Sequence, residues 1–193
     1  LITACMNKFR FILLLLLACV FSMQAQKAKE IPTIPELPVD SITGLYSYSK
    51  VIQVPGVTRD QLYTRAFSWA NIYYKNPGDV IREKDPVTGK MVIKARFRIS
   101  NEADKKGVIT AAGDVMYTLT FNFKEGRYRY EITKINWQQV SYYPIERWKD
   151  TSSSAFLPSY AFYLKQTDEN LKKLIADFEK KLGTDPVVNT NDW

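Results

Sequence analysis

The side chains that most often carry out catalysis are scarce in this chain. It contains no histidine, so the Ser-His-Asp and Cys-His arrangements are excluded. Glu131, Glu146 and Asp150 lie near a segment rich in aromatic residues, but their spacing matches no template for a general acid and base. The glycines are scattered and form no phosphate-binding loop. We therefore predict that the protein is not an enzyme and has no catalytic, cofactor-binding or metal-binding residues.

The N-terminal segment has the pattern of a secretory signal. Residues 6–25 combine a basic start, an apolar run over residues 11–23 and a small residue at Ala25. The apolar run is shorter than the roughly 20 residues that a transmembrane helix needs. We expect cleavage after Ala25 and export to the periplasm, in free form or associated with the outer membrane. Residues 1–5 precede Met6, the expected natural start, and are interpreted as a gene-prediction extension.

A second interpretation of the same segment is a lipoprotein signal. Residues 16–19 resemble a lipobox, in which Cys19 would be acylated and would tether the protein to a membrane. Val20 and Phe21 continue the apolar run where lipoproteins usually become polar, and we therefore favour ordinary cleavage. The other cysteine, Cys5, also precedes the predicted cleavage point. The predicted mature chain is then free of cysteine and of disulfides.

Charge and proline content describe the mature chain. The 27 Lys and Arg residues exceed the 20 Asp and Glu residues by 7, and removing the two basic residues of the signal leaves a net charge of +5. Such a charge suits an anionic partner such as lipid headgroups or acidic glycans, but it is more typical of an ordinary solvated surface of mixed charge. Residues 26–44 are rich in proline and predict an extended linker. We then expect one domain over residues 45–183 and a flexible tail over residues 184–193.

An amphipathic helix is predicted over residues 58–75. Thr58 and Gln61 have the spacing of a capping box at its start. Apolar side chains at spacings of four, three and four form one stripe, which we predict to be buried: Leu62, Ala66, Trp69 and Tyr73. The same geometry turns Arg65 toward another side of the helix.

Two β-hairpins are predicted from turn residues and from the alternation of apolar and polar side chains. The first joins residues 79–84 to residues 90–99, and the second joins residues 115–123 to residues 127–137 across a Glu-Gly turn. In the first hairpin one face of the second strand is basic and is predicted to be exposed. This face carries Lys90, Lys94, Arg96 and Arg98.

The last predicted element is a helix with a long apolar stripe. Thr167 or Asp168 is expected to cap its start, and Gly183 is expected to end it. The order of the predicted elements is then β-α-β-β-β-β-α. This order predicts an α+β fold in which an antiparallel sheet carries two helices packed on one face.

An aromatic segment over residues 138–164 shows no regular period. Tyr and Trp contribute strongly to binding interfaces, and one strand or helix cannot bury so many rings. If the protein has a partner surface, we predict that it combines this segment with the basic strand face, with the candidate residues Trp137, Tyr142, Tyr143, Trp148, Lys94, Arg96 and Arg98. The commoner arrangement for such rings is to extend the core, here between the sheet and the last helix.

Several short motifs resemble a known family over about residues 46–137. They are Val54-Pro55-Gly56, Leu62-Tyr63 with Arg65-Ala66 and Trp69, Thr88-Gly89-Lys90, Tyr117-Thr118, and Gly126-Arg127-Tyr128-Arg129-Tyr130. The chain is similar in these residues to an uncharacterised family of exported Bacteroidota proteins, a domain of unknown function with a fold like that of the TATA-binding protein. The resemblance implies this fold and a location in the cell envelope, and it brings no activity or site residues.

The expected function is binding or assembly in the cell envelope, with a protein, lipid or glycan partner. The alternative is a periplasmic domain that binds a small molecule between the sheet and the helices. Nucleic acid is not an expected partner, because the sheet strands present mainly Lys, Arg, Thr and Asn on their polar face, without apolar wedges.

Overall fold

An antiparallel sheet with helices on one face forms the described part of the chain. A computed structural model describes residues 33–138 and 142–183; the predicted signal, Cys19 and the predicted tail lie outside these ranges. The elements in chain order are β1 (Tyr48–Gln53), α1 (Arg59–Tyr73), α2 (Pro77–Val80), β2 (Ile81–Asp85), β3 (Lys90–Ser100), β4 (Ala111–Lys124), β5 (Arg127–Gln138), β6 (Tyr142–Pro144), a 3-10 helix (Ile145–Lys149) and α3 (Ser159–Gly183). The predicted α+β class and antiparallel sheet are confirmed.

The strands lie in the order β1-β5-β4-β3-β2, and β6 pairs with β5 beyond the end of β1. Strands β3, β4 and β5 are long and form the centre of the sheet. β2 is short and pairs with β3 only from Lys90 to Ile93. Residues 94–100 of β3 therefore form a border of the sheet.

The core lies between the sheet and the helices α1 and α3. Alternate residues of the central strands, such as Ile93, Leu119 and Ile132, are fully buried on this side. Trp69 of α1 and Phe178 of α3 meet the ring of Phe121 edge to face, at centroid distances of 6.0 Å and 5.1 Å. The two helices are thus joined to the middle of the sheet by aromatic packing.

Helix α1 begins as predicted. The Thr58 side chain accepts a hydrogen bond from the Gln61 N–H, and the Gln61 side chain accepts one from the Thr58 N–H. Leu62, Ala66 and Trp69 are buried, which confirms that part of the stripe.

Two side chains of α1 differ from the prediction. Tyr73 is the last residue of the helix, and it is 44% exposed. Arg65 is buried, and its guanidinium donates to the Leu182 carbonyl at 3.0 Å. A helical period places Arg65 beside the stripe, and the nearby C-terminus of α3 supplies its acceptor.

Helix α3 starts earlier than predicted, at Ser159. Thr167 lies in the helix interior, and its hydroxyl donates to the Tyr163 carbonyl at 2.8 Å, a bond that a threonine can make within a helix. The prediction of a cap at Thr167 or Asp168 is therefore wrong. The first turns carry buried aromatic residues, Tyr160 and Tyr163, that belong to the same helix face as the later apolar residues.

Two predicted boundaries also shift. Leu37 lies in the core and Val39 bridges Tyr46, so the packed chain begins before residue 45, within the predicted linker. The segment before β2 forms the short helix α2, because Pro77 suits the first turn of a helix, and the strand therefore starts at Ile81 rather than Asp79.

Candidate binding surface

The face of the sheet opposite the helices is open and basic. The side chains on this open face follow from the strand alternation and from cross-strand register. Its cations are Lys90, Lys94, Arg96, Arg98, Lys124, Arg127 and Arg129, and its carboxylates are Glu83, Asp85, Asp114 and Glu131. Threonine and asparagine fill much of the space between them, including Thr118, Thr120 and Asn122. The open face therefore has an excess of positive charge.

The three predicted basic residues of β3 lie together on this face. Arg96 and Arg98 share one carboxylate, with their Nε atoms 3.6 Å and 3.0 Å from the two oxygens of Asp114. Both arginine side chains stay more than half exposed in these ion pairs. Within the described residues no carboxylate lies in ion-pair range of Lys94. This row thus keeps a net positive charge.

A second basic group lies where β4 turns into β5. Lys124 and Arg127 are directly opposite each other in the strand register. Like charges in this arrangement repel. The Glu125 carboxylate between them in sequence accepts from the backbone N–H of Arg59, at the start of α1. It therefore caps a helix instead of pairing with its two cationic neighbours.

An open cleft adjoins this second group. Its volume is about 420 Å³, and Val51, Asn122, Lys124, Arg127 and Arg129 are among its lining residues. Arg129 is paired with Glu131. Lys124 was not among the predicted site residues, and this cleft was not predicted from the sequence. The hairpin register could have located this group, because residues that flank a two-residue turn lie opposite each other.

The aromatic segment is packed into the core. Trp148 is fully buried, and it stacks on Tyr160 at a centroid distance of 5.6 Å. Trp137 is 8% exposed, and its indole N–H donates to the Ala112 carbonyl at 3.0 Å. The prediction that Trp137 and Trp148 form part of an exposed partner surface is therefore wrong. The reason is that β6 and the 3-10 helix fold the segment back over the end of the sheet, beneath α3.

The backbone of β4 makes room for the Trp137 ring at Gly113. This glycine has a φ of +120°, and a Cβ atom on it would lie 2.7 Å from the Trp137 Nε1. A side chain at residue 113 would therefore meet the indole. The close approach helps to hold Trp137 in the core.

Of the two candidate tyrosines of β6, the structure describes the side chain of Tyr143 alone. Tyr143 is half-buried, and the Arg147 guanidinium lies 5.1 Å from its ring centroid in a cation–π contact. The side chain of Tyr142 lies outside the described part of the chain. Tyr143 is therefore a described candidate aromatic residue that keeps access to solvent.

The carboxylates weighed for catalysis have structural partners. Glu146 accepts from the Tyr46 N–H at 2.8 Å, and Asp150 accepts from the Ser152 hydroxyl at 2.6 Å. The bonds from Ser152 lower the pKa of Asp150 below its usual range. Within residues 33–138 and 142–183, no group of three or more His, Cys, Asp or Glu side chains is arranged to hold a metal ion. Nor is any helix of these ranges both long and apolar enough to span a membrane.

A cavity of about 330 Å³ lies beside the border of β3, between α1 and α3. Phe97, Tyr117 and Leu174 are among its lining residues. Tyr117 and Tyr74, also in the lining, share a hydrogen bond of 3.0 Å between their hydroxyl groups. Burial is the main cause that raises the pKa of both phenols far above the usual value. The cavity thus combines aromatic rings and neutral phenol hydroxyl groups with the basic residues Lys75 and Arg96.

This architecture, an antiparallel sheet with one open face and helices on the other, defines a TBP-like α+β domain. Residues 48–138 match the family described as a domain of unknown function (DUF4468) with TBP-like fold. The family resemblance expected from the short motifs is confirmed.

Two solved structures have the same fold. A DUF4468 family protein from Bacteroides ovatus is 19% identical and superposes with a TM-score of 0.61, over 77% of this chain and 92% of that one. A TBP-like protein from Parabacteroides distasonis is 14% identical with a TM-score of 0.60, over 77% of this chain and 98% of that one. No curated protein matches the chain.

Proposed function

We propose that the protein is a non-catalytic binding module of the cell envelope that contacts an acidic protein through the open face of its sheet. The observation that supports this most is the exposed positive charge on that face, at Lys94 and at the opposed pair Lys124 and Arg127. Cross-strand repulsion between such cations is relieved when carboxylates approach.

A protein suits this face better than a glycan or a lipid surface does. In the described strands β1–β5 no aromatic ring points to the open face, whereas sugars commonly stack on such rings. Glu83, Asp114 and Glu131 interrupt the basic residues, whereas a surface for anionic lipid favours an unbroken basic patch beside inserted apolar groups. Interspersed charges with threonine and asparagine are typical of a protein interface rim.

The proposal is tested with labelled poly-L-glutamate as a defined acidic probe. We expect the double variant Lys124→Gln/Arg127→Gln to bind about fivefold more weakly at low salt, because a loss of about 1 kcal/mol from exposed charges corresponds to that factor. The matched control, Lys165→Gln/Lys173→Gln, makes the same change of charge on exposed residues of α3. Equal weakening by the two variants would show that net charge alone attracts the probe, and would contradict the proposal.

The small-molecule alternative is supported by the aromatic cavity between α1 and α3. Its volume lies near the lower end of the range for ligand pockets. Phenylacetate is a suitable probe, because its ring fits beside Phe97 and Tyr117 and its carboxylate suits Lys75 at the cavity wall. This function predicts that phenylacetate raises the Tm of the wild type and not of Asn170→Phe, which places a ring in the cavity. An unchanged Tm of the wild type would argue against it.

A further inference from the structure

One border of the sheet has a strand edge that no other strand covers. β2 stops pairing with β3 at Ile93, and the next six residues of β3 extend past it to Ile99. At Ser100 the side chain of Gln166 takes the place of a strand. The Ser100 N–H donates to the Gln166 Oε1 at 3.1 Å, and the Ser100 carbonyl accepts from the Gln166 Nε2 at 2.8 Å.

These bonds show which peptide groups face outward along the edge. Backbone N–H and C=O groups of a strand point to alternate sides, so Arg96 and Arg98 face the same way as Ser100. Within the described residues, neither the N–H nor the C=O of Arg96 or Arg98 has a hydrogen-bond partner on that side. A row of unpaired peptide groups is a template for another strand, and most proteins cover or shorten such an edge.

The side chains on the two sides of this edge differ in character. On the open face, Lys94, Arg96 and Arg98 are exposed cations, and Arg96 and Arg98 share the Asp114 carboxylate. On the helix side, Phe97 and Tyr117 are among the residues that line the cavity of about 330 Å³, and Arg96 and Lys75 also contribute to its lining. Residues of an added strand would alternate between these two environments.

We propose that the uncovered edge of β3 binds an extended acidic segment of the partner protein by β-strand addition. Every second residue of that segment is a carboxylate facing Arg96 and Arg98, and an apolar or aromatic residue between them enters the cavity. Main-chain bonds supply affinity and the alternate side chains supply specificity, as in other strand-addition complexes. This inference rests on the proposed function and narrows its partner to a segment of defined pattern.

Charge argues against a second copy of the chain as the occupant. If two β3 edges paired with each other, Lys94, Arg96 and Arg98 of one copy would lie beside the same cations of the other, which is unfavourable. An acidic strand gives the opposite sign at each of these positions. Equilibrium sedimentation of the free protein is therefore expected to show a monomer, and a dimer that Arg96→Pro dissolves would overturn the proposal.

The first experiment compares two synthetic peptides of equal composition. One alternates Glu with Val and Phe (Glu-Val-Glu-Phe-Glu-Val-Glu), and the other places its four Glu residues in one block. Both carry the same charge, so a surface that responds to charge alone binds them equally. We expect the alternating peptide to bind at least about tenfold more tightly, because only its pattern matches both sides of the edge. Equal affinity would overturn the strand-addition proposal.

The second experiment removes one backbone donor. Arg96→Pro deletes the outward N–H, and Arg96→Val is its matched control, which deletes the guanidinium and keeps the N–H. Proline is tolerated at a sheet edge that has no ladder bond to lose. We expect Arg96→Pro to bind the alternating peptide about tenfold more weakly than Arg96→Val does, with circular dichroism confirming that both variants fold. Equal binding by two folded variants would contradict the proposal.

Amide hydrogen exchange of the wild type gives a test that needs no variant. Binding of the alternating peptide should slow exchange at the Arg96 and Arg98 N–H groups, because both gain acceptors. Unchanged exchange at both amides of the bound protein would overturn the edge proposal. If Lys124→Gln/Arg127→Gln still weakened binding of the alternating peptide, the proposed open-face function would stand. If neither these substitutions nor those at Arg96 changed peptide binding, both the open-face function and the strand-addition proposal would be contradicted.

Discussion

Tyr128 combines full burial with a hydroxyl group that has no hydrogen-bond partner among the described residues. Burial, with the nearby Glu179 carboxylate and Tyr130, raises the pKa of this phenol well above its usual value. Burial, the charge of the Glu179 carboxylate and a hydrogen bond to it raise the pKa of Tyr130 to about 12. The unfolded chain releases these protons near pH 10, before the folded protein does. The contribution of these two phenols to the free energy of unfolding is therefore fully present below about pH 10. It falls as the pH rises toward their pKa values in the folded protein.

We expect Tyr128→Phe to weaken this alkaline loss. The variant removes one ionisable phenol and an unpaired buried hydroxyl, so its free energy of unfolding at pH 7 should be unchanged or higher by about 1 kcal/mol. Between about pH 10 and 12 its stability should fall less steeply than that of the wild type. Urea unfolding across this range is the measurement.

Tyr117→Phe is the control for this prediction. It also removes a buried phenol, but it leaves the Tyr74 hydroxyl without the partner that it has at 3.0 Å. We expect it to cost stability at pH 7, by about 1 kcal/mol. If Tyr128→Phe lost as much at pH 7 as Tyr117→Phe, the Tyr128 hydroxyl would have a partner and its described environment would be wrong.

Among the elements, α1 is connected to both α3 and the sheet by the side chain of Trp69. Its indole N–H donates to the Asp177 Oδ2 at 2.7 Å, and its ring packs against Phe121 and Phe178. This one side chain therefore contacts both α3 and the sheet. A helix docked in this way is expected to depend strongly on the ring.

Trp69→Ala should lower the free energy of unfolding by about 3 to 5 kcal/mol. The substitution leaves a large cavity and takes away the indole N–H that donates to Asp177. Tyr73→Ala is the matched control on the same helix, and its half-exposed ring should cost less than about 1 kcal/mol. Chemical denaturation of both variants decides the matter. A Trp69→Ala variant with unchanged stability and altered binding would show that Trp69 is a contact residue.

Elements with a local signal were predictable from sequence, and elements that depend on distant contacts were not. The Thr58 capping box and the alternation of β3 are encoded in a few neighbouring residues, and both are present. The predicted start of α3 was wrong, because Tyr160 and Tyr163 lie in a segment whose sequence shows no regular period. Only the structure shows that Trp137 and Trp148 pack against these two rings. The burial of those rings depends on residues far apart in sequence, and alternation within one element cannot reveal it.

The candidate site shows the same division. Lys94, Arg96 and Arg98 were found from alternation alone, because an exposed strand face needs no information beyond the strand. Lys124 was missed, since its importance comes from its cross-strand neighbour Arg127 and from the use of Glu125 as a helix cap. The uncovered edge depends on where β2 begins, at Ile81 opposite Ile93, which turn chemistry at residues 85–89 does not specify.

At the scale of the whole molecule, the proposed export to the cell envelope depends on residues 6–25, which lie outside the described ranges. The basic start, the short apolar run and Ala25 predict cleavage before Gln26. We expect intact-mass analysis of the protein, expressed in a Bacteroides host, to give a species that starts at Gln26. A species that starts at Cys19 and carries acyl chains would contradict this and would indicate a membrane tether.

The most direct measurement of the central proposal is a map of backbone amide chemical shifts across the isotope-labelled protein, with and without the alternating acidic peptide. We predict that the shifts concentrate on β3, β4 and β5, with the largest changes at Arg96 and Arg98 and smaller ones toward Lys124 and Arg127. The exposed surfaces of α1 and α3 should change little. Shifts that concentrate on those helices, or that spread evenly over the whole domain, would contradict a binding function of the open face.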